Sequence, residues 1–302
     1  MNHDQLSTIE DVLALMRRRD YICDRKMATA LFLALKMEKP LFLEGQAGVG
    51  KTEVAKVLAA GLGRRLIRLQ CYEGLDVSTA LYEWNYSKQL LRIKLDEARL
   101  CRDNELTNIF SPDFLIKRPL LEAIQSSSRD EDVVLLIDEL DRSDEEFEAF
   151  LLEILSDFQV TIPELGTLRA ARRPVVILTS NRTREIHDAL KRRCIYHWID
   201  YPTFEKEVDI LSARIKEVDQ HLASQVCRVM QAIRTQDYLK KPGVAETLDW
   251  TLALMALSKN SLDDQTVADT VGCIFKYQED IVRFQAEWPE LKETARLVHG
   301  MC

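Results

Sequence analysis

The sequence predicts an α/β protein: a parallel β-sheet with helices on both faces, followed by an all-helical domain. Three observations carry this. Short apolar runs such as "PLFLEG" (40–45) and "VVLLI" (133–137) have the length and composition of strands buried on both faces. They alternate with longer segments whose apolar residues recur at helical spacing. After "YHWIDYP" (196–202) the strand signals stop, and helical periodicity runs almost to the last residue. The boundary falls at about residue 202, giving an α/β domain of residues 1–202 and a helical domain of residues 203–302.

The elements follow in order. Ser7-Thr8-Ile9-Glu10 reads as a capping box ahead of "VLALMRRR", so a helix opens the chain. "MATALFLALKMEK" is a second helical run stopped by Pro40. "PLFLEG" is the first buried strand, ended by a glycine-rich loop; residues 51–62 are helical, and "RRLIRLQC" (64–71) is the second strand. From Tyr72 to about Asp113, mixed periodicity without proline reads as an insertion on the sheet scaffold. Within it, "LYEWNY" (81–86) would set Tyr82, Trp84 and Tyr86 on one strand face, either to anchor the insertion or to touch a client or subunit. "DFLIKRPLLEAIQ" (113–125) reads as a helix and "DVVLLIDEL" (132–140) as a buried strand. Ser143 and Glu146 form a second capping box, before a helix with Phe147, Phe150, Leu151, Ile154, Leu155 and Phe158 on its core face. "QVTIPELGTLRAA" turns around Pro163 and Gly166 as a hairpin, and "RPVVILTSN" (173–181) is a further buried strand. The helical domain is broken at "KKPG" (240–243).

Bulk properties narrow the class. Of 302 residues, 46% are hydrophobic and 30% charged, the balance of a globular protein with a sizeable core. The formal net charge of -8 opposes broad attraction to nucleic acid or anionic lipid. Seven scattered cysteines, an odd number with no C-x-x-C, read as reduced thiols rather than a disulfide frame. Five histidines offer neither H-E-x-x-H nor zinc spacing. The amino-terminal stretch "MNHDQLSTIEDV" is polar and acidic, unlike a signal peptide, and no apolar run is long enough to span a bilayer. Together these predict a cytoplasmic protein with no membrane partner.

The chemistry is concentrated in four places. "GQAGVGKT" fits G-x-x-x-x-G-K-[ST], between a strand and a helix as that motif requires. Gly45, Gln46, Ala47, Gly48, Val49 and Gly50 would converge backbone N–H groups on phosphate oxygens, aided by the positive end of the following helix. Lys51 would reach the β- and γ-phosphates, and the Thr52 hydroxyl would ligate Mg²⁺. Asp138-Glu139 ends a buried strand, where Asp138 is placed to hold the Mg²⁺ shell and Glu139 to polarise a water toward the γ-phosphate. A nucleotide switch does not need that second carboxylate; a hydrolytic motor does. Asn181, at the tip of a neighbouring strand, can orient the same water. Arg192 and Arg193 precede the last strand of the sheet domain, where an arginine can enter the next subunit's site in a ring, with Arg193 preferred. Each feature also has a structural reading: a turn glycine, a solvated acid, a turn asparagine, a solvated basic pair.

Taken together, the motifs resemble those of the AAA+ ATPases, and within them the MoxR family. "LLIDELDR" is similar to that family's D-E-[IL]-[ND]-R signature, and "LLEILSDFQVTIPELGTLRAARRPVVILTSN" to its helix, pre-sensor-1 hairpin and sensor strand. "RLIRLQCYEGLDVSTALYEWNYSKQLL" resembles the branch typified by the accessory ATPase of carbon monoxide dehydrogenase maturation. The resemblance runs from about Tyr21 to the end. It implies an AAA+ P-loop NTPase core with a helix-2 insertion, at about residues 73–112, and a pre-sensor-1 hairpin, at residues 158–172, plus a helical lid. It also implies use of ATP and Mg²⁺, a homo-oligomeric ring, commonly hexameric, a partner bearing a von Willebrand factor A domain, and a client metalloenzyme such as a molybdenum hydroxylase. The insertion and hairpin would face the ring axis. One departure stands out: "KKPGVAETLDWTLALMAL" has no sensor 2 arginine after Gly243, leaving Lys240 and Lys241 as the basic residues at hand.

Three other classes fit less well. A GTP switch should carry N-K-x-D or T-K-x-D, which the sequence does not contain. A small-molecule kinase needs neither the arginine pair nor the Asn181 strand. A nucleic-acid-dependent motor shares the insertion and hairpin but needs basic pore loops. Arg169, Arg172 and Arg173 lie at the hairpin's base, and the net charge is negative.

Overall fold

A computed structural model describes residues 6–99, 108–126 and 131–295. The chain divides into two compact units. One takes Leu13–Asp24, Gly45–Val54 and the chain from Trp198; the other takes the remaining described residues. The glycine-rich loop thus falls with the helical unit rather than with the sheet.

The sheet has five strands in the order β2 (Arg65–Gln70), β5 (Val133–Asp138), β8 (Val175–Ser180), β1 (Leu41–Gly45) and β9 (Ile195–Ile199). The β2–β5, β5–β8 and β8–β1 pairings are parallel, so these four strands end on one edge. All six residues of β5 are buried, which is why its sequence runs apolar without alternation. Helix α3 (Lys51–Leu62) follows β1, and α6 (Pro119–Ser126) and α7 (Glu145–Asp157) flank β5 in sequence; Leu121, Ile124, Phe147, Leu151 and Ile154 join the sheet's buried cluster. The hairpin is present as β6 (Gln159–Ile162) paired antiparallel with β7 (Gly166–Arg169). The helical unit contains α9 (Phe204–Arg214), α10 (Gln220–Thr235), α11 (Val244–Ala256), α12 (Asp264–Ile274) and α13 (Gln278–Thr294), around a core that includes Trp250, Phe275 and Phe284.

Several local readings shift. The opening cap belongs to Thr8 and Asp11: Asp11 N–H donates to Thr8 Oγ1 at 3.2 Å, and Thr8 N–H to Asp11 Oδ2 at 2.9 Å. Glu10, freed from that role, pairs with Arg25, which begins α2 (Arg25–Lys36), after α1 (Ile9–Arg17). The cap of α7 is Asp144, which accepts from Phe147 N–H at 2.8 Å, while Ser143 Oγ donates to the Leu140 carbonyl. A carboxylate and a hydroxyl are near-equal N-caps, so adjacent candidates differ by one residue in sequence. "DFLIKRPLLEAIQ" is not one helix: Pro112–Phe114 is a 3₁₀ turn, Leu115–Lys117 is β4, and α6 starts at Pro119. Proline at the first helical position lacks only an N–H that has no helical acceptor there, and it drives the residue before it to extended backbone.

The insertion contains α4 (Val77–Ala80), β3 (Tyr82–Trp84), which pairs antiparallel with β4, and α5 (Tyr86–Arg99); residues 100–107 lie outside the described residues. Tyr86 therefore starts a helix and is exposed, instead of sharing a strand face with Trp84. Trp84 is buried, edge-on to Phe110 with centroids 5.4 Å apart, and belongs to the sheet's core cluster. It anchors the insertion. Trp84→Ala should cost about 3–5 kcal/mol in denaturant unfolding; unchanged stability would contradict the anchoring role.

Candidate functional site

The glycine loop is shaped from within. Gly48 (φ 77°) and Gly50 (φ 90°) sit in the left-handed region, where a side chain strains the backbone. The Lys51 side chain folds back under the loop: its ammonium donates to the carbonyls of Gly45 at 2.9 Å and Gln46 at 2.6 Å, and the residue is 6% exposed. Gly45 runs against Ile199, so a Cβ there would lie 2.2 Å from the Ile199 carbonyl oxygen. Thr52 follows in the first turn of α3.

The helical unit holds this loop by its backbone. Val244 N–H, at the start of α11, donates to the Gly48 carbonyl at 2.9 Å. Gly243 makes the approach possible, because a Cβ on it would lie 2.7 Å from Gly48 Cα and 2.8 Å from the Ala47 carbonyl oxygen. The Glu246 carboxylate accepts from Gly243 N–H at 2.8 Å. Arg234, buried on α10, forks onto both oxygens of buried Glu207 at 2.7 Å and donates through Nε to the Pro242 carbonyl at 2.8 Å, fixing the segment before Gly243. The Lys241 ammonium donates to the Arg234 carbonyl at 2.9 Å, so it serves the same segment.

The acidic residues form a second group at the carboxyl ends of β5 and β8. Thr179 is its pivot. Its hydroxyl donates to Asp138 Oδ1 at 2.6 Å and accepts from Glu139 N–H at 2.9 Å. Asp138, 1% exposed, takes the Arg68 guanidinium on its other oxygen, with Nε at 3.0 Å. Arg68 is half exposed, so it can yield that oxygen to a cation. Glu139 stands in a left-handed conformation (φ 55°, ψ 50°), an uncommon geometry for a non-glycine residue that concentrates at functional sites. Gln70 on β2 donates its side-chain amide to Glu139 Oε2 at 3.0 Å, and Arg142 lies 3.5 Å from the same oxygen. The Glu139 carboxylate is thus held by an amide that can release it.

Asn181 follows β8, and its backbone N–H donates to Asp141 Oδ1 at 3.1 Å. Asp141 also accepts from the Thr183 N–H at 2.9 Å and hydroxyl at 2.6 Å. Burial would raise the Asp141 pKa, but the hydrogen bonds from Thr183 and Asn181 outweigh it and hold the carboxyl below its ordinary value. Arg192 and Arg193 close the short helix α8 (Asp188–Lys191) and are both exposed. Lys191 fastens that helix to Glu44 at 3.4 Å, and the Tyr196 hydroxyl donates to Glu44 at 2.8 Å. Burial, then the Glu44 contact, push the Tyr196 phenol up to about 12.

Gln70, Thr179 and Gly243 carry no motif signal as single residues; Asp141 lies within "LLIDELDR", but its bonds to Asn181 and Thr183 are not visible there. A buried threonine directly beside a D-E pair on the neighbouring parallel strand is the nearest thing to one.

A parallel sheet with a glycine loop after one strand and paired acids after another defines a P-loop NTPase of AAA+ type. The family described as AAA domain (dynein-related subfamily) matches residues 40–194, just over half of the chain, and the chain belongs to it. No curated protein matches the sequence. Among solved structures, the Thermotoga maritima RuvB Holliday junction branch migration motor is 15% identical, with 85% of this chain and 67% of that chain covered and a TM-score of 0.43. A candidate ATPase from Cytophaga hutchinsonii is 13% identical, with 97% and 95% covered and a TM-score of 0.48. No described helix is long and apolar enough to cross a membrane.

Proposed function

We propose that this chain is an ATP-hydrolysing, ring-forming remodeller of MoxR type, which matures or activates a client protein complex. The observation that carries hydrolysis is Glu139: a second carboxylate after Asp138, strained, oriented by Thr179 and reached by Gln70. Gly45 through Gly50 cradle the phosphates, and Lys51 neutralises them. Thr52 and Asp138 would hold Mg²⁺, which would supply positive charge against the triphosphate; their hydroxyl and carboxylate suit a hard cation with oxygen ligands. Glu139 takes the proton of the attacking water, and Asn181 orients that water. Arg193, or Arg192 beside it, reaches into the next subunit from an exposed position. The MoxR type, a partner with a von Willebrand factor A domain and a six-membered ring rest on the resemblances of "LLIDELDR" and "LLEILSDFQVTIPELGTLRAARRPVVILTSN", and a molybdenum hydroxylase client on that of "RLIRLQCYEGLDVSTALYEWNYSKQLL".

Gln70 would restrain Glu139 between turnovers. Gln70→Ala is expected to raise basal ATP turnover about two- to fivefold, the release of about 0.5–1 kcal/mol from one hydrogen bond on a part-exposed carboxylate; a fall in turnover would make Gln70 an aid to Glu139 instead.

The ring is tested by mixing. Arg193→Ala and Lys51→Ala should each hydrolyse ATP slowly alone, since a trans arginine contributes about 10³–10⁵ in rate. Mixed, they should exceed the sum of the separate rates. No gain, with Arg192→Ala succeeding in its place, moves the role by one residue. Failure of both removes the trans-acting site.

A further inference from the structure

The hairpin-base arginines line a cavity on the other edge of the sheet. It measures about 740 Å³ and lies in the sheet unit alone. Lys39, Arg64, Asp132 and Pro174, which line it, come just before β1, β2, β5 and β8, so it opens at the amino edge of those strands. The six residues of β5 at about 3.3 Å each place it roughly 20 Å from Asp138.

Arg64 is built into the site, its side chain 7% exposed and its guanidinium 3.0 Å from Asp132. Arg172, 60% exposed at the rim, reaches the same carboxylate at 3.6 Å. One carboxylate therefore serves two guanidinium groups. Arg173 lies over the Phe158 ring, 5.4 Å from its centroid. Lys39 and Arg169 bring the described cations lining the cavity to five, against three carboxylates, Glu38, Asp132 and Asp157. Burial pushes the Arg64 pKa down and Asp132 opposes it, while Arg172 adds to the fall. A further anion would relieve that strain.

We propose that this cavity binds a small phosphomonoester. The excess of two positive charges matches the roughly -1.5 to -2 charge of such a group, where a single carboxylate supplies half as much. Guanidinium forks bind phosphate oxygens bidentately. Phosphate alone would leave most of the space empty, since cavities of about 300–1,000 Å³ hold ligands of drug size. Leu35, Phe158 and Val175 supply an apolar wall for an organic body.

The probe is 1-naphthyl phosphate, followed by titration calorimetry on wild type, Lys51→Ala, and the double variant Arg172→Gln/Arg173→Gln. Wild type and Lys51→Ala should bind one equivalent with similar affinity. The double variant, altered at the rim, should bind at least tenfold more weakly with an unchanged melting midpoint. Inorganic phosphate should displace the probe from wild type, an arm that needs no variant, and 1-naphthol should bind at least tenfold more weakly. Loss of binding in Lys51→Ala with retention in the double variant would put the phosphate in the glycine loop. Equal binding of 1-naphthol would reduce the site to an apolar cavity. Displacement by an acidic hexapeptide at the concentration at which phosphate acts would make it a peptide site. Any of these, or no binding by wild type, overturns the proposal.

Discussion

Glu139→Gln is expected to bind ATP with near wild-type affinity and to lower turnover by about 10²- to 10⁴-fold, the contribution of a positioned general base. The substitution keeps the shape of the side chain, so the left-handed backbone at φ 55° and the hydrogen bond from Glu139 N–H to Thr179 are undisturbed. It removes the negative charge and the basicity. The amide can still hydrogen-bond to Gln70, so the variant stays folded in the same local arrangement. Fluorescent-nucleotide titration and phosphate release on one preparation separate the two effects. Turnover near wild type would remove Glu139 from the mechanism.

Gly243→Ala has the second large effect, and it acts through the loop rather than through the reacting atoms. The added methyl would meet backbone atoms of Ala47 and Gly48 at 2.7–2.8 Å, well inside contact distance, and no flexible side-chain tip is there to yield. Either the loop or the start of α11 must shift, and the hydrogen bond from Val244 N–H to the Gly48 carbonyl is strained in both cases. Overpacking of this kind costs about 1–3 kcal/mol. Taken from the loop's binding geometry, that cost is expected to weaken ATP affinity about five- to 150-fold. Affinity unchanged beside a lowered melting temperature would mean that α11 gives way and the loop is indifferent to it.

The helical unit's grip on the loop also bears on the absent sensor 2 arginine. Arg234 reaches the segment before Gly243 from α10, buried and committed to Glu207, instead of from the start of α11. Glu246, on the first turn of α11, caps its own helix through Gly243 N–H.

What the sequence made legible was local in origin. The strand "VVLLID" is apolar throughout because both faces are covered, and the loop glycines mark left-handed backbone, so both could be read without partners. The hairpin turned where Pro163 and Gly166 said it would. Misreadings arose where two local rules competed. Ser143 and Asp144 are adjacent N-caps, and Pro119 reads equally as a break within a helix or as its first residue. Tyr86 shared strand spacing with Trp84 until the chain turned into α5. The site's supporting residues were illegible for a different reason. Gln70 meets Glu139 across 69 positions and Thr179 meets Asp138 across 41, contacts that strand order alone creates. Gly243 meets Gly48 across a still longer interval, and its need for glycine comes from the backbone opposite, not from its own turn.

The central claim is that nucleotide-driven assembly places one chain's arginine in the next chain's site. Its most direct test is the solution mass of Glu139→Gln by light scattering, with and without Mg-ATP. The account predicts a shift from small species to a ring of about six protomers when nucleotide is added, as ATP held without hydrolysis locks the assembled state. A monomer under both conditions, with ATP binding confirmed on the same preparation, would contradict it.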